Sequence, residues 1–300
     1  MWGQIAAGVF RLKKAGAETF ILWDGAQLVK GSSNDTSKSF PITSGGAFEI
    51  RVYFEGDECT KVSIIGNDRA LVFANNQVKA NGAIMSNEID FAGAQLKLKN
   101  GTSYIYEGKV KLNKGQSVSS NAIDLSLFTE NKVQNNIFSG SGNSTWTLMT
   151  LSTDYIIRLD AFSGFSYVCP INGYPDVIYM DGWSWAYSET GTGVVWSDDL
   201  LLPLVKTGAT TYEGSCYVSP WGGDTKFYLT HPTTGKKVLL PNTNFTGPNI
   251  SKNENSFLLP TTGGYHKIIV DLKDGVTISG DGNTVTPNSG TQFTLNYIAQ

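Results

Sequence analysis

The 300 residues carry a formal charge of −3, with only 16% charged side chains beside 33 glycines. That balance supplies no cationic field for phosphates, which argues against nucleic acid as a partner, and it favours short strands and many turns over solvated helices. No stretch approaches the roughly 20 apolar residues of a membrane span, and Met1 to Phe10 lacks the basic, apolar and cleavage regions of a signal peptide, so an export signal is expected only upstream of this sequence.

The first strand signal is Gly8-Val9-Phe10-Arg11-Leu12, and Trp23 sits in the strand after it as a packed residue. Ser39-Phe40-Pro41-Ile42 then runs through Gly45-Gly46 into the alternating Ala47-Phe48-Glu49-Ile50-Arg51-Val52, and Gly56-Asp57 turns it towards Thr60-Lys61-Val62-Ser63-Ile64. Alternation of this kind puts one side of a strand on a core and the other in water.

Leu71-Val72-Phe73 opens a second unit, where Asn75, Asn76 and Gln77 stand in the opening loop instead of tryptophan. Tyr106-Glu107-Gly108-Lys109-Val110-Lys111-Leu112 follows, and Trp146-Thr147-Leu148 leads into Tyr155-Ile156-Ile157-Arg158-Leu159 and Phe165-Ser166-Tyr167-Val168. This is the ending of the first unit written again.

Val177-Ile178-Tyr179-Met180 opens a third unit, which passes through Tyr212-Glu213-Gly214. It closes with Ser256-Phe257-Leu258, a Gly263-Gly264 turn, the strand Tyr265 to Leu272, an Asp274-Gly275 turn and Val276-Thr277-Ile278. Trp146 aligns with Phe257 and is read as core.

Tyr106 and Tyr212 stand 106 residues apart, and the shared ending recurs about every 110, the length of a sandwich domain rather than of a solenoid repeat. The pattern predicts an all-β chain of tandem immunoglobulin-like antiparallel β-sandwich domains. Residues 1–67 are expected to be a partial, N-terminally truncated repeat, 68–170 a spacer and 171–300 a full unit. A sandwich without its opening strands exposes an edge or a core face. The first unit is therefore expected to follow further residues or to lean on the second. Cys59, Cys169 and Cys216 fall one to a unit, with no Cys-x-x-Cys spacing and no neighbouring histidine, and are read as buried thiols.

An apolar strand with a Gly-Trp loop, a Tyr-x-Gly strand, Lys226-Phe227 and the closing Gly-Gly-Tyr-x-Lys-x-x-Val-Asp-Leu occur in this order. The series resembles the SusE/SusF type, tandem-domain outer-membrane lipoproteins of glycan-utilisation systems in Bacteroidota. Residues 171–300 match best, the second unit matches in its Tyr-Glu-Gly and terminal elements, and the first only in its ending. The resemblance implies cell-surface domains that hold starch-like or other polysaccharide beside a porin-type outer-membrane transporter without cleaving it. The lipidated cysteine of such proteins has no counterpart in this sequence, so membrane attachment rests on the resemblance alone.

Four of the seven tryptophans, Trp183, Trp185, Trp196 and Trp221, fall in the first part of the third unit. Sugars present C–H faces that stack on flat rings, and an indole gives large contact with an N–H left for a hydroxyl. Trp183 and Trp185 are two apart and, in an extended chain, form a platform on one side. Tyr187 and Trp196 continue the loop, Asp198 offers a carboxylate to hydroxyls, and Trp221 lies between Pro220 and Gly222 in a turn where bulk has no packing motive. These are the carbohydrate-binding candidates. The competing reading makes them core, since one indole fills much of a small sandwich, and one of Trp183 and Trp185 is the natural core member.

Asp181, Glu189, Asp198 and Asp199 could in principle supply a glycosidase pair, but nothing resembles a glycosidase signature, and the acids are read as solvated or as hydroxyl partners. His231 and His266 are too few for a metal site, no motif for a cofactor is present, and Asp281-Gly282-Asn283 is read as a hairpin turn. The expected protein is a non-catalytic polysaccharide binder. The alternative is a structural or adhesive surface protein whose sandwiches are spacers.

Overall fold

The computed structural model describes residues 2–5, 8–32, 34–35, 37–42, 46–66, 69–99, 102–120, 122–128, 137–140, 143–187, 195–196, 200–248 and 250–300. Regular structure among them is strand, with 3-10 turns at Leu125–Leu127 and Asn242–Asn244 and no α-helix. The chain is all-β, and among the described residues its strand pairings are antiparallel apart from Phe245–Thr246, which runs parallel to Phe293–Ala299.

One six-stranded sheet orders Trp2–Ile5, Gly46–Glu55, Glu58–Gly66, Arg69–Ala74, Gln77–Ala80 and Ala83–Ile84, so its ladder continues on both sides of residue 67. The hairpin expected at Gly56-Asp57 is present, with Gly46–Glu55 pairing Glu58–Gly66. Gly8–Phe10 pairs with Phe40–Ile42, and Trp2–Ile5 lies beside Gly46–Glu55. Buried side chains from Ile21 to Val168 join in one core. Within it Trp23 donates its indole N–H to Ser103 at 3.0 Å, and the Tyr104 hydroxyl donates to the Pro41 carbonyl, also at 3.0 Å. The Phe48 and Phe162 rings meet at 5.9 Å. The first segment thus leans on residues beyond 100.

The Tyr-Glu-Gly elements do the same work twice. Ile105–Leu112 pairs with Thr153–Asp160, and Thr211–Val218 pairs with Gly264–Asp271. In each first strand the tyrosine ring is buried and its hydroxyl returns to the opening segment: Tyr106 donates to the Ser86 carbonyl at 2.7 Å, and Tyr212 to the Pro175 carbonyl at 2.8 Å. The glycine two residues on lets a neighbouring strand cross closely. A Cβ on Gly108 would lie 2.8 Å from the Leu96 side chain, and one on Gly214 3.2 Å from Leu204 and from the Pro203 carbonyl. A strand glycine of this sort marks close backbone approach.

The third ending differs from its expected hairpins. Ser256–Leu258 pairs with Asp224–Thr230, not with Gly264–Asp271, so Gly263-Gly264 carries the chain from one part of the sheet to another. The other neighbour of Gly264–Asp271 is Phe293–Ala299, while Val276–Ile278 pairs with Val285–Pro287 around the Asp281-Gly282-Asn283 turn.

Large aromatics fill both cores. Trp146 is ringed by Phe91, Phe128 and Phe138 at 6.3, 6.1 and 5.5 Å, contacts that each add about 0.5–1.5 kcal/mol beyond simple burial. The second core, from Tyr167 to Tyr297, packs Phe227, Phe245, Phe257 and Phe293. The three cysteines are free and buried, as small apolar side chains.

Candidate functional site

At one end of the C-terminal sheet three turns meet. The strand Val177–Gly182 pairs with Asp224–Thr230 up to Gly182 opposite Thr225, and the next residue, Trp183, donates its backbone N–H to the Asp224 carbonyl at 3.1 Å. Ser184 then adopts φ +65°, a left-handed conformation uncommon outside glycine. The chain re-enters the sheet at Trp185–Tyr187, with Trp185 opposite Val218 and Ala186 opposite Tyr217.

The Ser184 turn overturns the expected platform. Two residues apart share a side only in an extended chain, and the left-handed residue between them sends the indoles opposite ways. Trp183 is 56% exposed, whereas Trp185 is 0% exposed within the core. Trp185 is therefore corrected from ligand candidate to core residue.

Ser219 to Gly222 forms a second turn, closed by the Gly222 N–H on the Ser219 carbonyl at 3.2 Å. The Trp221 N–H also reaches the Ser219 hydroxyl at 3.3 Å. Proline at the second position presets such a turn, and Trp221 at the third holds its indole out of the core, 88% exposed. The two turns are fastened together. The Ser219 N–H donates to the Ser184 carbonyl at 2.9 Å, and Gly223 passes so close to Trp183 that a Cβ there would stand 2.3 Å from its carbonyl oxygen.

The third turn, Pro260 to Gly264, backs the second. The Leu259 N–H donates to the Gly223 carbonyl at 2.8 Å, and Gly263 lies against Pro220. Buried His266 holds this turn from beneath, with Nδ1 3.0 Å from the Gly264 carbonyl.

Tyr187 and Trp196 belong to the short paired strands Trp185–Tyr187 and Val195–Trp196, with Ala186 opposite Trp196 and Tyr187 opposite Val195. Asp198, with Glu189 and Asp199, lies outside the described residues. Continuing the register, Tyr265, Tyr217, Ala186 and Trp196 stand opposite one another across four strands. Tyr265 was not among the sequence candidates. Its position as the first outward residue after the Gly-Gly turn was the available signal, but only the strand pairing sets it beside Tyr217. Both tyrosines are half-buried.

Asp181, one residue before the turn, lies 3.9 Å from Lys237, and both side chains remain in contact with water. Among the described residues no three imidazole, thiolate or carboxylate groups gather as metal ligands, and no helix is long and apolar enough to cross a membrane.

No protein-family model matches the chain, and no curated protein does. Among solved structures it is similar to the crystal structure of SusF from Bacteroides thetaiotaomicron, at 13% identity over 99% of this chain and 77% of that one, with a TM-score of 0.25. A TM-score that low carries no inference about function.

Proposed function

We propose that this chain binds polysaccharide without cleaving it, and that residues 171–300 are the binding unit, with 68–170 as spacer and 1–67 as a partial repeat. The observation that carries the reading is the pair of exposed indoles, Trp183 and Trp221, on turns joined by backbone contacts. Among the described residues Trp23, Trp146 and Trp185 are buried, so this fold has room for tryptophan in its cores and nonetheless leaves these two in water. Burying a large apolar side chain is worth about 1.5–3 kcal/mol. Holding two outside on proline- and glycine-shaped turns forgoes that gain and leaves rigid stacking surface for sugar C–H faces.

Tyr187, Trp196 and Asp198 are assigned supporting roles in this proposal, the two rings as further stacking surface and the carboxylate as an acceptor of hydrogen bonds from hydroxyls. A location on the outer-membrane surface beside a porin-type transporter is part of the same proposal and rests on the motif resemblance. So does a starch-like ligand.

Native affinity electrophoresis through gels containing neutral and acidic polysaccharides tests the reading. Retardation in at least one gel, with no reducing sugar released on incubation, is the expected result. Free migration through every gel would refute binding, and release of reducing ends would refute the non-catalytic assignment.

A further inference from the structure

A second recess lies away from the exposed indoles, where the outer side of the Thr153–Asp160 sheet faces the start of the C-terminal sheet. Its volume is about 940 Å³, within the range of sites that take small ligands. Its walls are unusual for this chain. Lys99, Arg158 and Lys237 face it together with only two carboxylates, Glu107 and Asp181, leaving one net positive charge in a protein whose total is −3.

Arg158 is the central group. It stands opposite Glu107 on one side and Tyr167 on the other, its side chain is only 14% exposed, and its Nε donates to the Glu107 carboxylate at 2.5 Å. Glu107 takes that one edge. The described residues supply no partner to the two Nη groups, which leaves donors of a planar fork to the recess. A guanidinium is matched to carboxylate and sulfate by such paired donors, and a largely desolvated one gains most from them.

The two rim cations are loosely engaged. Lys237 is 3.9 Å from Asp181 and 5.6 Å from the Tyr228 ring centroid, and the described residues give the Lys99 ammonium no ion pair. Tyr167 and Tyr179 also line it; both are buried, and the Tyr179 hydroxyl is committed to the Pro170 carbonyl at 2.6 Å. The result is a cationic recess with a tyrosine-lined wall.

We infer that this recess is a second ligand site, which receives the carboxylate or sulfate of an acidic sugar residue on Arg158, with Lys99 and Lys237 at its rim. The anion chemistry stands on the recess alone, while its being carried by a sugar rests on the polysaccharide reading above.

Isothermal titration of the full chain with trigalacturonate, a sulfated chondroitin disaccharide, neutral maltotriose and plain acetate separates the sources. The inference expects saturable binding of at least one acidic saccharide that weakens with added salt. Arg158→Gln should lose about tenfold in affinity, as removal of a charged hydrogen-bonding group does, and Lys237→Gln or Lys99→Gln a smaller part. Trp183→Ala with Trp221→Ala should leave this binding unchanged, so failure of the indole platform would be visible separately. Far-UV circular dichroism and melting confirm folding, and if Arg158→Gln does not fold the two rim variants carry the test. No saturable binding of either acidic saccharide, equal binding by maltotriose or by acetate, or binding untouched by every variant that folds would overturn it.

Discussion

The carbonyl oxygen of Trp183 lies 2.3 Å from where a Cβ on Gly223 would stand, so the two indole-bearing turns meet with no room for a side chain between them. Gly223→Ala must push Trp183 away, and because the obstacle is backbone, no rotamer change relieves it. Overpacking of this kind costs about 1–3 kcal/mol. The expected outcome is a lowered melting temperature together with several-fold weaker retention in polysaccharide gels. Retention at the wild-type level in a variant with the lowered melting temperature would show that the spacing of the indoles is immaterial.

Trp183 and Trp185 should separate cleanly in their consequences. Trp185→Ala empties a core position that is 0% exposed and is expected to cost about 3–5 kcal/mol, as large-to-small core changes do. Trp183→Ala and Trp221→Ala remove side chains held in water and should shift stability by no more than about 0.5 kcal/mol. Urea unfolding midpoints of the three variants read this directly, and a large loss with Trp221→Ala would return that indole to the structural class.

The repeated tyrosine hydroxyls make a further prediction. Tyr106→Phe and Tyr212→Phe each delete one hydrogen bond to a carbonyl of the opening segment, at an expected cost of about 1 kcal/mol each. They share no partner, so the double variant should lose the sum. Marked non-additivity in urea unfolding would show that the two copies of the motif are energetically coupled.

How far the sequence could be read follows from the range of the signals it carries. Alternation is local, so the long strands Gly46–Glu55, Thr153–Asp160 and Gly264–Asp271 were legible, as was the turn that exposes Trp221, which is written in Ser219-Pro220-Trp221-Gly222. Strand partners are chosen over long distances by which faces bury together. Hence the pairing of Gly264–Asp271 with Phe293–Ala299, and of Trp2–Ile5 with Gly46–Glu55, was missed. The divergence of Trp183 from Trp185 turns on one left-handed serine, a conformation that no residue-type rule flags. The basic recess was also invisible, since Lys99, Arg158 and Lys237 come from distant parts of the chain.

Stability should fall on the alkaline side. Burial pushes the Cys169 thiol up to about 12 and raises Cys216 further, and burial likewise raises the phenols of Tyr155, Tyr179, Tyr212 and Tyr297. Each group holds its proton more tightly folded than unfolded. Its contribution is therefore complete below the unfolded value and is lost as pH rises from there through the raised one, beginning near pH 8.5 for thiols and near pH 10 for phenols. Melting temperatures should begin to fall at about pH 9 and drop steeply beyond about pH 10. A midpoint that holds or rises across that window would contradict the burial of these groups.

The most direct test of the central claim compares the whole chain with its Trp183→Ala/Trp221→Ala double variant by affinity electrophoresis on the polysaccharide that retards the wild type most. The account predicts that the double variant, folded by circular dichroism and with an unchanged melting temperature, migrates as it does in a gel without polysaccharide. Retardation equal to that of the wild type would contradict it.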